Sequence, residues 1–68
     1  MRNIRFKENI KRLLCERGLK QKDIAKITKL TKSAISKYIN GDRMPDIYNL
    51  VRLAEALNVS IDYLIFGR

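Results

Sequence analysis

The chain has 68 residues, enough for one small hydrophobic core, and 46% of them are hydrophobic, too many for a compositionally disordered polypeptide. Its single cysteine, Cys15, and its lack of histidine exclude an internal disulfide and the ordinary Cys/His zinc sites. Net charge is +8 and unevenly spread: residues 1–43 carry thirteen Lys/Arg against four acids, residues 44–68 two against three. Such a basic segment suits a polyanion, nucleic acid before an anionic membrane. The N-terminal residues Arg2, Arg5, Lys7 and Glu8 leave no apolar run for a signal peptide or a membrane span, so a cytoplasmic location is expected.

The pattern along the chain predicts five short helices. Phe6, Ile10, Leu13, Leu14 and Arg17 follow i, i+3, i+4 spacing, and Gly18 stands where a left-handed cap would end that first helix. Cys15 is expected to be a small, partly buried residue on it. A second helix is predicted from about Gln21 to Thr28, with Ile24, Ala25 and Ile27 inward. Thr31 is a good N-cap for a third, which turns Ile35, Tyr38 and Ile39 inward and ends at Asn40-Gly41. Asp46 caps a fourth helix with the stripe Ile47, Leu50, Val51, Ala54 and Leu57, closed by Asn58. Ser60 caps a fifth carrying Ile61, Leu64 and Ile65, and Gly67 stops it. No strand-like alternation and no repeat is present, so the expected fold class is all-α, one domain spanning 1–68.

Function is concentrated in Gln21–Gly41, QKDIAKITKLTKSAISKYING. Two short helices joined by a tight turn at Lys29-Leu30 need a small residue where they cross, and Ala25 supplies it. Lys32, Ser33, Ser36 and Lys37 fall on the outward side of the third helix near its start. In a helix-turn-helix such residues reach base edges in the major groove.

These features resemble the Cro/cI-type, lambda-repressor-like helix-turn-helix family. The resemblance runs from Ile10 to Leu64. It rests on Gly18-Leu19, Gln21, Asp23-Ile24-Ala25, Ile35-Ser36-Lys37-Tyr38, Asn40-Gly41, Pro45 and the tail Leu53-Ala54-Glu55-Ala56-Leu57-Asn58-Val59-Ser60-Ile61-Asp62-Tyr63-Leu64. It implies a DNA-binding transcriptional regulator, most often a repressor, with base contacts from Lys32, Ser33, Ser36 and Lys37. It implies phosphate contacts from Gln21, Thr31, Asn40 and Arg43, with Lys20, Lys22 and Lys29 as weaker candidates. A homodimer on a palindromic operator is expected, with Tyr63, Ile65 and Phe66 as candidate contacts. The bland alternative packs those three against the first helix, near Ile4 and Phe6.

Several positions depart from the family pattern. Lys29 stands where glycine is usual in the turn. Thr28 replaces an apolar residue, which shifts expected burial toward Ile27 or Leu30. Lys20 replaces a Ser/Thr cap, so the second helix is expected to start weakly capped. Leu14 and Ile39 occupy positions that often hold an ion pair, a swap that leaves no buried charge unpaired.

A second reading from another class is a protein-interaction module, antitoxin-like, that uses the fifth helix and binds DNA only secondarily. No acid pair, nucleophile motif or phosphate-cradling glycine loop is present, so no enzyme is expected. No cofactor, metal, small-molecule ligand or membrane association is expected either.

Overall fold

The computed structural model describes residues 3–67. Among them the chain forms α1 (Phe6–Glu16), α2 (Gln21–Thr28), α3 (Lys32–Asn40), α4 (Ile47–Leu57) and α5 (Ile61–Phe66), with no strand. No helix among these residues is long and apolar enough to cross a membrane, and no group of three or more Cys, Asp or Glu is arranged to hold a metal ion.

Local chemistry sets the helix ends. The Thr31, Asp46 and Ser60 side chains accept the backbone N–H three residues on, at 3.0, 2.9 and 3.0 Å. Gly41, Asn58 and Gly67 close α3, α4 and α5 in the left-handed region. The start of α2 is better capped than the sequence implies. Lys20 has no side-chain acceptor, but the Asp23 carboxylate accepts the Lys20 backbone N–H at 2.8 Å.

Fourteen apolar side chains, from Phe6 to Leu64, make one core, and Ile10, Ile24, Ile35, Leu53, Leu57 and Leu64 are fully enclosed. Leu14 and Ile39 are both in it, as an apolar replacement for an ion pair requires. Phe6 meets Tyr38 edge-on, with centroids 6.2 Å apart. The Tyr38 hydroxyl accepts a hydrogen bond from Asn49 Nδ2 at 3.1 Å, so this inward tyrosine keeps its polar end satisfied.

Some expectations are corrected. Ile27 is 54% exposed, and Thr28 takes the inward place. Thr28 tolerates burial because its hydroxyl donates to the Ile24 carbonyl at 2.7 Å and accepts the Leu30 N–H. Ile47 points to solvent and Leu53 replaces it in the core, because the stripe of α4 is set by Leu50, Leu53, Ala54 and Leu57. Cys15 is exposed. Arg17 is exposed too; its guanidinium donates to the Leu57 carbonyl at the C-terminal end of α4.

The α5 helix docks along α1. Asn9, 1% exposed, donates from Nδ2 to the Leu64 carbonyl at 3.0 Å, and the Arg5 N–H donates to the Ile65 carbonyl at 2.7 Å. The Arg12 guanidinium lies 5.8 Å from the Tyr63 ring centroid. The α2 and α3 pair packs on α1 and α4, which fixes the outward side of α3.

Candidate nucleic-acid interface

A rigid turn separates α2 from α3. Lys29 sits at φ +61°, ψ +24°, a left-handed conformation that costs a side-chain-bearing residue about 1 kcal/mol. The Thr28 hydroxyl spans the turn by accepting the Leu30 N–H at 3.3 Å. Thr31 then starts α3 immediately. The turn therefore leaves little freedom in the angle between the two helices.

On α3 the side chains separate cleanly. Ile35, Tyr38 and Ile39 are buried, whereas Lys32, Ser33, Lys37 and Asn40 are exposed and Ser36 is half-buried. At about 100° per residue, Lys32, Ser36, Asn40, Ser33 and Lys37 occupy one arc of about 140° opposite the buried face. The arc carries two ammonium donors, two hydroxyls and one amide, and no acid. Asn40 Nδ2 donates to Ser36 Oγ at 3.4 Å, linking two neighbours on it. Lys and Ser at such positions match guanine O6/N7 and mixed base or phosphate acceptors.

Besides Asn40 on this arc, the candidate phosphate contacts lie at the start of α2, in the turn and beyond α3. Gln21 is the first residue of α2 and is exposed, with exposed Lys20 and Lys22 beside it in sequence. A helix start is a ready anion site, because its first N–H groups lack intrahelical acceptors. Thr31 caps α3 by accepting from Ala34, and its own O–H still has a proton to donate. Lys29 is exposed at the turn, and Arg43 is exposed beyond the end of α3.

Sequence reasoning missed Lys7. Its aliphatic stem lies over Gly41, where a Cβ would meet Lys7 Cδ at 2.6 Å; that flexible stem can move aside, so it is the left-handed backbone at φ +81° that favours glycine at residue 41. Lys7 and Arg43 line one cleft of about 210 Å³ with Gly41, Tyr38, Met44 and Glu8. A cation from α1 thus joins the end of α3 across 34 residues of sequence, a proximity that no local pattern signals. Tyr63, Ile65 and Phe66 are half-buried, while the large apolar side chains open to water are Ile4, Ile27, Met44, and Ile47 and Tyr48 of α4.

The chain matches a helix-turn-helix family model over residues 10–64. It is 36% identical over 62 residues to the HTH-type transcriptional regulator YqaE of Bacillus subtilis, a match covering 91% of this chain and 53% of that protein. The crystal structure of a transcriptional regulator from Listeria innocua is similar with a TM-score of 0.85 at 38% identity, covering 97% of this chain and 61% of that one. The P22 c2 repressor, solved in complex with a synthetic operator, is similar with a TM-score of 0.86 at 28% identity, covering 93% and 96% of the two chains. The chain spans about half the length of the curated relatives it matches. From its capped helix pair, the arc of α3 and these matches, the chain belongs to the Cro/cI-type helix-turn-helix family of DNA-binding transcriptional regulators.

Proposed function

We propose that the chain is a sequence-specific repressor that lays α3 in the major groove and binds a palindromic operator as a homodimer. Lys32, Ser33, Ser36 and Lys37 read base edges, and Gln21, Thr31, Asn40 and Arg43 fix the register on phosphates. Lys20, Lys22 and Lys29 add affinity without selecting sequence. The observation that carries this reading is the arc of α3, which is acid-free, open to solvent, and held by a cap at Thr31 and a constrained turn at Lys29. Half-sites one helical turn apart, ~34 Å, follow from a two-fold protein.

A Lys37→Ala variant tests the reading. Its binding to a selected site is expected to weaken by about 1–3 kcal/mol, with much less loss on random duplex of equal length. Equal loss on both duplexes would make Lys37 a phosphate contact and remove base reading from that position.

A further inference from the structure

Each base shows the major groove its own pattern of donors and acceptors. Guanine offers two adjacent acceptors, O6 and N7. Cytosine offers an amine donor, adenine an acceptor beside an amine donor, and thymine an acceptor beside a methyl group. Which base a helix selects therefore follows from the donors and acceptors that its own side chains present.

The outward side of α3 is weighted toward donors. Lys32 and Lys37 are exposed, and an ammonium group only donates. Ser36 Oγ accepts from Asn40 Nδ2 at 3.4 Å, which occupies one of its lone pairs and leaves its proton free to donate. No carboxylate stands on this side to accept from the cytosine amine. None of Lys32, Ser33, Ser36 and Lys37 carries the amide that pairs with N6 and N7 of adenine together. Asn40 has an amide, but it is the last residue of α3 and one of its N–H groups is held by Ser36. An ammonium set against adenine or cytosine meets an amine, whereas against guanine it meets O6 and N7 at once.

Geometry gives each lysine its own base. Lys32 and Lys37 are five residues apart, about 7.5 Å along the helix axis, and stand at the two edges of the outward arc. With a rise of ~3.4 Å per base pair, that distance is about two steps, and the reach of the lysine stems extends it to about three. The two edges of a helix lying in the groove face opposite walls, and so opposite strands. We propose, resting on the base reading above, that each half-site carries two guanines, one on each strand and about two or three base pairs apart, read at O6 and N7 by Lys32 and Lys37.

Selection from a random-sequence duplex library supplies the site, and 7-deazaguanine placed at single guanines of each half-site then tests the contact. That base pairs normally but lacks the N7 acceptor. Binding is measured by fluorescence anisotropy with the full chain and the variants Lys32→Ala and Lys37→Ala. Both positions are exposed, and far-UV circular dichroism checks that the helices persist. The parent chain is expected to lose about tenfold in affinity at each of the two guanines. Lys32→Ala is expected to become indifferent to one replacement while keeping its loss at the other, and Lys37→Ala to show the reverse. In a repeated selection Lys37→Gln is expected to exchange its guanine for adenine. A symmetric motif without guanines so placed, or replacements that weaken the parent and both alanine variants alike, would overturn the assignment and leave base reading by α3 standing. Recovery of no motif would remove base reading itself, and this assignment with it.

Discussion

Lys29 shows how one residue can be at odds with its backbone and still be informative. A left-handed position occupied by lysine stores about 1 kcal/mol that glycine would not. Lys29→Gly is therefore expected to stabilise the fold by about 0.5–1 kcal/mol, a rise in Tm of about 3–6 °C by calorimetry. A lower Tm would mean that the lysine stem contributes packing that outweighs the strain. The turn was legible in the sequence because its place between two helices is fixed by Thr31 and the α2 stripe. The choice between Ile27 and Thr28 was not. Hydropathy favours burying the isoleucine, but the phase of α2 set by Ile24 and Ala25 turns Thr28 inward, where its hydroxyl finds the Ile24 carbonyl. Asn9 was silent for a similar reason, since its acceptors lie 54 and 55 residues away on α5.

At the scale of elements, the helix ends could be read from cap chemistry because each cap is a local bond between residues three apart. Thr31→Ala removes the acceptor for the Ala34 N–H at the front of α3 and is expected to cost about 1 kcal/mol by chemical denaturation. It should also weaken DNA binding, because the arc of α3 frays where Lys32 and Ser33 begin and the proposed Thr31 phosphate contact is lost; unchanged affinity would remove Thr31 from the phosphate contacts. Asn9 is the corresponding tie for α5. Asn9→Ala leaves the buried Leu64 carbonyl without its side-chain donor and is expected to cost about 1–3 kcal/mol, with faster amide exchange confined to α5 and the start of α1. Uniform acceleration across all helices would mean that α5 unfolds only with the whole domain. The stripe of α4 was only half legible: Leu50, Ala54 and Leu57 follow from spacing, whereas Ile47 against Leu53 depends on how α4 lies across α2 and α5.

For the whole molecule, the separation of charge along the sequence becomes a separation of roles. The basic residues lie on α1, α2, α3 and the loop after it, with Lys7 of α1 reaching the end of α3, and the nearly neutral C-terminal part carries the exposed Ile47 and Tyr48 of α4. The proposed phosphate contacts predict an affinity for DNA that falls linearly in log–log form with salt, with a slope of about −0.9 per phosphate neutralised. Lys7→Met keeps the stem over Gly41 and removes the charge, so it is expected to reduce that slope by about one such increment. An unchanged slope would leave Lys7 as a packing residue only. The helix-turn-helix and the outward side of α3 were legible in the sequence because both rest on contiguous residues 21–41. The cleft shared by Lys7 and Arg43, and the open face of α4, depend on which helices pack together, and local spacing does not report that.

The most direct test is selection from a random-sequence duplex library at moderate salt, followed by sequencing of the bound fraction. The account predicts a two-fold symmetric motif with half-sites about one helical turn apart, ~34 Å. Weak, salt-sensitive retention with no recovered motif would contradict it and leave the basic face as a non-specific polyanion surface.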